Sequence, residues 1–220
     1  MGKSILTSHQ RTILEFAKTD PEITQWYYFT GGTALAHYYL HHRYSEDLDF
    51  FTQSQVNPVP LDAFFQKIRT DAQIIKVQQK KISGLFMYTL TFEDGSELKV
   101  DFNEYDFPQV ERGPKDGALQ IDSLYDIAIN KLYTVLSRSK ARDFVDLYCC
   151  LELNDFSLEQ LFDRKKDKFF TQADEIEIAR KFSSVADVAD YPTMLVPFDR
   201  DKMIAFFLSE AKKYGNRIFK

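Results

Sequence analysis

A chain of 220 residues can form one large domain or two small ones, and either can bury a real core. Hydrophobic residues at 44% and aromatics at 15%, with 20 Phe and 12 Tyr, exclude a disordered chain. A formal net charge of −5 excludes the broad basic surface of a general nucleic-acid binder, so a polynucleotide partner would need a local basic groove that the total conceals.

No run of 18 apolar residues occurs, so no membrane span is predicted. The opening stretch MGKSILTSHQRTILEF has no apolar run before a small-residue cleavage site, which predicts the absence of a secretory signal and a cytoplasmic location. The two cysteines, Cys149 and Cys150, are adjacent in sequence. Neighbours on a helix point about 100° apart and do not readily bridge, so both read as core thiols of a reducing compartment.

In chain order, residues 8–18 read as a short amphipathic helix with Ile13, Leu14, Phe16 and Ala17 on one side. Residues 26–30 have strand character and stop at Gly31-Gly32, after which Thr33 to Leu40 reads as a helix. Residues 47–51 alternate charged and apolar with period two, as a half-buried strand does. A Pro-containing loop at 57–60 precedes a helix over 61–69, and strands are predicted at 72–80 and 84–92. Residues 93–96 (EDGS) form a hairpin turn, since Asp-Gly tolerates positive φ, and the return strand is 97–103. On that strand Leu98, Val100 and Phe102 share one face, and Lys99, Asp101 and Asn103 the other. Residues 113–117 (GPKDG) read as a loop and a domain boundary. From there the pattern is helical: a helix capped by Asp122 or Ser123 to about 137, then 141–152, 157–165, 174–186 and 199–213, with Tyr191-Pro192 and Val196-Pro197 as breaks.

The chemistry concentrates around Asp47 and Asp49. Two Asp residues one position apart on a strand project from the same face, and their mutual repulsion requires a cation or a proton. Hard carboxylate oxygens suit Mg²⁺, which prefers one or two carboxylates together with substrate phosphates. Upstream, Gly31 and Gly32 sit where a strand turns into a helix and would let a phosphate approach backbone N–H groups, with Thr33 as a hydroxyl donor. Arg43 and Ser45 would hold a phosphate or brace the loop. An Asp-Xaa-Asp alone reads equally well as a solvated strand edge, and a glycine pair alone is usually a turn. Their order within one strand–loop–helix–strand unit is what favours function. Asp101 lies on a strand whose polar face would neighbour the acidic pair, where a third carboxylate would bind a second metal or take a proton; by itself it reads equally well as an exposed strand residue. His37 and His41 have i, i+4 spacing but no third ligand motif, and His42 would steer phosphate. Residues 164–168 (RKKDK) read as a solvated face. Gly-Xaa-Ser-Xaa-Gly, Cys-His and phosphate-loop patterns are missing, which disfavours serine or thiol hydrolases and P-loop enzymes.

The run GGTALAHYYLHHRYSEDLDFF, residues 31–51, resembles the nucleotidyltransferase AbiEii/AbiGii toxin family, a branch of the DNA polymerase beta-like nucleotidyltransferases. NKLYTVLSR at 130–138, followed by KARDFVDLY at 140–148, is similar to that family's second signature. The resemblance covers roughly residues 25–150; the rest carries no motif of this kind. It departs from the wider superfamily, which often has Gly-Ser and a shorter gap, in placing 14 residues between Gly-Gly and Asp47.

The resemblance implies an α+β fold: a polymerase beta-like catalytic domain with a mixed sheet over residues 1–117, and a helical domain over 118–220 completing the cleft. It implies Asp47, Asp49 and Asp101 as metal ligands for Mg²⁺ or Mn²⁺, Lys131 as a triphosphate contact, and Asp146 as the later catalytic acid, with Asp143 as the competing assignment. A Lys among apolar helix positions is costly unless it meets an anion or snorkels out, which suits Lys131. Arg138, Lys140 and Arg142 would serve phosphates or an RNA backbone, or lie on a solvated helix junction. The implied activity is transfer of a nucleotidyl group from an NTP to an acceptor hydroxyl, such as a tRNA 3′ end. The implied role is that of a toxin of a type IV toxin–antitoxin system or of phage abortive infection, with an antitoxin as partner. A protein hydroxyl as acceptor, and a non-catalytic nucleotide-binding interaction protein, are the alternatives.

Overall fold

A computed structural model describes residues 5–154, 156–171 and 174–217. The first four residues of the opening stretch, and residues 155, 172, 173 and 218–220 of the helical half, lie outside the described residues. The chain divides into two units, Met1–Tyr39 with Tyr44–Leu124, and Leu40–Arg43 with Tyr125–Lys220.

The first unit is built on a seven-stranded mixed sheet of order β3-β4-β5-β2-β1-β7-β6. Its elements are α1 (Ser8–Ala17), α2 (Pro21–Trp26), β1 (Tyr28–Thr30), α3 (Gly31–Ala34), β2 (Leu48–Thr52), α4 (Pro58–Ile68), β3 (Ile74–Ile82), β4 (Leu85–Phe92), β5 (Glu97–Glu104), β6 (Lys115–Asp116) and β7 (Leu119–Ile121). Strand β2 runs antiparallel to β1 and parallel to β5, and β1 runs parallel to β7. Leu48, Phe50 and Thr52 of β2 are buried in alternation with half-buried Asp49 and Phe51, the period-two pattern expected there. Phe50 stacks on Phe102 of β5 at 5.1 Å, and Phe65 of α4 lies 4.7 Å from Tyr88 of β4, so one sheet face is closed by an aromatic core under α4.

Several boundaries differ from the expectations, for identifiable reasons. Helix α4 starts at Pro58 rather than after the prolines, because Asn57 caps Val59 N–H and proline at the first helical position gives up no hydrogen bond. Helix α2 was not expected; Asp20 caps it and Pro21 opens it, which shortens the predicted strand at 26–30 to its last three residues. The helix expected over 33–40 is one α turn followed by a π-helical segment, Leu35–Leu40, a conformation that sequence periodicity does not signal. Residues 113–117 are not merely a loop. Lys115 and Asp116 pair with Gln120 and Leu119 across a turn at Gly117 (φ +62°), and β7 then docks on β1.

The second unit is helical: α5 (Leu124–Ser137, entered from the first unit), α6 (Ala141–Glu152), α7 (Leu158–Phe169), α8 (Glu175–Ser183) and α9 (Arg200–Arg217). Its core joins Phe144, Phe182 and Phe207, with ring centroids 5.0 and 5.3 Å apart. Lys168 and Asp126 form a fully buried ion pair at 2.6 Å. The short segment Leu40–Arg43 is held to this unit by its backbone, since His42 C=O accepts from Leu195 N–H at 2.8 Å and Arg43 bridges to Met194. Among the described residues no helix is long and apolar enough to cross a membrane.

Candidate active site

Strand pairing decides which carboxylates meet. In the parallel β2–β5 ladder Asp49 stands opposite Asp101, so both side chains leave the same face of the sheet on neighbouring strands. Asp47 lies just before β2, and Lys99, two residues before Asp101, joins it to the group. The Lys99 ammonium is 3.0 Å from Asp101 Oδ2 and 3.8 Å from Asp47 Oδ2. Burial alone would depress the Lys99 pKa, but the bond to Asp101 and the charges of Asp101, Asp47 and Asp49 raise it. Asp101 is 7% exposed, and its Oδ1 is buried without a hydrogen-bond partner among the described residues. Burial pushes its carboxyl pKa up, against the opposing pull of Lys99.

The glycine pair serves this geometry in a way the sequence did not indicate. Gly31 has φ +78°, and a Cβ placed on it would fall on the Asp49 carboxyl group. The glycine therefore makes room for the carboxylate as well as for the turn. Thr33 is buried and donates its hydroxyl to the Asp47 carbonyl at 2.5 Å, bracing the acidic loop. Gln10 does the same from α1: its Oε1 accepts from Thr7 N–H in the capping box, and its Nε2 donates to Ser45 and Glu46 carbonyls at 2.8 and 3.1 Å. Neither Gln10 nor Lys99 was singled out from sequence. For Lys99 the signal was present in its i, i+2 spacing from Asp101; for Gln10 there was none.

The other expected residues gather in the helical unit. Asp146 is fully buried and accepts from Arg43 Nε at 2.6 Å, Arg43 Nη2 at 2.7 Å and His42 Nε2 at 2.8 Å. Lys131 Nζ is 2.7 Å from Asp146 and 3.1 Å from Asp143, and Asp143 also accepts from Arg138 at 2.8 Å. Arg43, expected to hold a phosphate or brace the loop, is buried with its guanidinium on Asp146, and His42, expected to steer phosphate, is wholly buried against the same carboxylate. Burial would raise the Asp146 pKa, yet the charges of Lys131 and Arg43 overcome it and hold it well below the usual carboxylate range; Asp143 is lowered by Lys131 and Arg138 in the same way. Both acids thus keep Lys131 charged inside an apolar helix pair, its pKa raised in spite of burial.

Among the described residues no three His, Cys, Asp or Glu side chains are gathered tightly enough to hold a metal ion as they stand. The donor set nevertheless fits a hard divalent cation. It offers carboxylate oxygens from neighbouring strands, one of them buried and without a hydrogen-bond partner among the described residues.

The profile of the nucleotidyl transferase AbiEii toxin family, of type IV toxin–antitoxin systems, matches residues 16–207. The chain belongs to that family. The uncharacterized protein aq_aa25 of Aquifex aeolicus is 31% identical over 147 residues, covering 65% of this chain and 66% of that protein, so the chain spans just under two thirds of this relative's length. Among solved structures it is similar in fold to JHP933 of Helicobacter pylori (TM-score 0.60, 22% identity, 95% of this chain and 90% of that one). It is also similar to MenT4, a nucleotidyltransferase toxin of Mycobacterium tuberculosis (TM-score 0.51, 14% identity, 93% and 84%).

Gly31→Ala should cost on the order of 1–3 kcal/mol in denaturant unfolding, and should lower any nucleotidyl transfer about 10²-fold by displacing Asp49. In the helical unit, Asp143 and Asp146 have depressed pKa values, so their contribution to stability is complete above the unfolded carboxylate value of about 4 and is lost as pH falls below it. Unfolding free energies measured from pH 7 to pH 2 should be level near neutrality and fall in acid, and Asp146→Asn should flatten that fall. At pH 7, Asp146→Ala should cost roughly 3–5 kcal/mol by leaving Arg43 buried without its carboxylate and Lys131 with Asp143 alone.

Proposed function

We propose that this chain transfers a nucleotidyl group from a nucleoside triphosphate to an acceptor hydroxyl on RNA, such as a tRNA 3′ end, and acts as the toxin of a type IV toxin–antitoxin pair. One observation carries the reading: Asp49 and Asp101 face each other in register while Lys99 ties Asp101 to Asp47, bringing three acids from two separated stretches to one place.

Asp47, Asp49 and Asp101 would hold Mg²⁺ or Mn²⁺, which supplies charge neutralisation for the triphosphate and acidifies the acceptor hydroxyl. The acceptor oxygen attacks the α-phosphorus in line, the bond from that phosphorus to the bridging oxygen of the leaving pyrophosphate breaks, and the hydroxyl proton passes to solvent water. Backbone N–H groups around Gly31 and Gly32 would orient phosphate oxygens. Thr33 and Ser45 keep the acidic loop in place, Thr33 through its hydroxyl and Ser45 through the carbonyl that Gln10 grips. Lys131 is the cation that the family pattern assigns to the phosphates, and Asp146 acts on it as a positioning residue, with Arg43 fixing Asp146 in turn. The division into a catalytic domain and a helical domain belongs to the same reading. So does an antitoxin partner. A cytoplasmic location, where NTPs and tRNA are found, is consistent with two buried free thiols, of which Cys149 is pushed up to about 12 by burial.

Incubation of the protein with Mg²⁺, each labelled NTP and total cellular RNA should label RNA and release pyrophosphate. Asp47→Asn, Asp49→Asn and Asp101→Asn should each abolish labelling while leaving thermal unfolding cooperative; full labelling by any of them would sink the assignment. Label appearing on protein instead would move the acceptor to a protein hydroxyl. Lys99→Met should raise the affinity for Mn²⁺ in calorimetry, because the ammonium competes with the cation for the same carboxylates. Unchanged or weaker binding would give Lys99 a different part.

A further inference from the structure

The sheet face that carries Asp49 and Asp101 continues beyond β5. Asp101 is in register with Met87 of β4, and Met87 with Lys80 of β3. One step along the strands, Lys99 pairs with Thr89 and Thr89 with Gln78; the next step runs from Glu97 through Thr91 to Lys76. Registered partners share a face, so these rows form one surface with the carboxylates at one side. At an interstrand spacing near 4.8 Å, Lys80 stands about 10 Å from Asp101 across the sheet. The opposite face holds buried Phe86, Tyr88, Leu90 and Phe92, with the Tyr88 hydroxyl donating to Asp62 of α4.

The chemistry of the open face is uneven in a telling way. Lys76, Gln78 and Lys80 are exposed, and neither lysine has a carboxylate partner among the described residues. Lys18, Lys67, Lys131 and Lys168, by contrast, are each matched with an acid. In a protein of net charge −5, unmatched cations aligned with a set of acids form a local basic strip. Thr89 and Thr91 add hydroxyl donors between the rows, and Glu97 bounds the strip at its far corner, where it accepts from Thr91.

We propose that this face of β3–β4–β5 is a track for the sugar–phosphate backbone of a polynucleotide acceptor, running past Lys76 and Lys80 and delivering its 3′-hydroxyl to Asp101. The proposal rests on the nucleotidyltransferase reading and specifies the acceptor's path. Lysines, an amide and hydroxyls on an extended strand grip phosphates without reading bases, so the track positions the strand and tolerates its sequence. Lysines on an edge strand also deter edge-to-edge pairing, a role that depends on lying at the edge and not on which face they occupy. Lys81 separates the two explanations. It is on the same edge strand but on the opposite face, with its ammonium 4.7 Å from the Phe86 ring.

The test uses the full chain and a short fluorescent single-stranded oligoribonucleotide with a free 3′ end, titrated without NTP over a range of salt. The double variant K76E/K80E should raise Kd roughly tenfold or more, and K76Q/K80Q should lower the slope of log K against log salt by about 1.4, near 0.7 for each lost phosphate contact. K81E should bind as the wild type does, and all variants should sediment and melt as it does. The track is overturned if K81E loses as much as K76E/K80E, if K76E/K80E keeps the wild-type Kd, or if the wild type does not bind the oligonucleotide. Labelling of a protein acceptor, unchanged in K76E/K80E, overturns it too. Because binding is read without nucleotide, these outcomes are independent of the Asp49→Asn transfer assay, which decides the underlying activity.

Discussion

Two carboxylates brought into register on neighbouring parallel strands repel each other, and the architecture around Asp49 and Asp101 is organised to tolerate that. At the strand spacing of about 4.8 Å, and with an effective dielectric near 20, the repulsion amounts to roughly 3 kcal/mol. The Lys99 ammonium offsets it from one side, within reach of Asp101 and Asp47. Gly31 provides the space for Asp49 from the other, because any side chain there would occupy the carboxylate's position. Thr33 and Gln10 then fix the loop that carries Asp47, one by a hydroxyl and the other by an amide. The glycine turn, the capping box of α1 and the alternation of β5 thus converge on a single electrostatic problem.

The helical unit solves a similar problem with opposite bookkeeping of charge. There the cations Lys131 and Arg43 are buried, and Asp146 and Asp143 are placed so that each positive group has an acceptor. A buried charge that lost its partner would be strongly destabilising, whereas the complete set is tolerated because every member is engaged. The depressed pKa values of both acids follow directly from the cations around them. A lysine held in this way stays protonated and points along a fixed direction, which a solvent-exposed lysine does not.

The sequence made the acidic pair legible because Asp49 sits on, and Asp47 just before, a strand whose apolar alternation is unambiguous, and Asp101 because the Asp-Gly turn before it fixed the phase of β5. The order of helices after residue 124 followed from periodicity, and the α+β class from the family resemblance. What periodicity did not carry were local events decided by one or two atoms. The π-helical turn over Leu35–Leu40, the capped helix α2 at Pro21–Trp26 and the two-residue strand β6 are of this kind. Long-range partners were equally silent: nothing in the spacing of Gln10 says that it will grip the carbonyls of Ser45 and Glu46. For Arg43 two parts were legible, holding a phosphate or bracing the loop, but its acceptor Asp146 lies 103 residues away, beyond what any local pattern encodes.

That separation has a consequence for how the chain is made. Leu40–Arg43 belongs to the helical unit, though it interrupts the sheet unit between Tyr39 and Tyr44. During synthesis His42 and Arg43 leave the ribosome long before Asp146 exists, so every strand of the sheet can pair while this guanidinium is still hydrated and unclaimed. The Arg43–Asp146 pair therefore forms only after α6 has been made, later than the strands that flank Arg43 in the sequence.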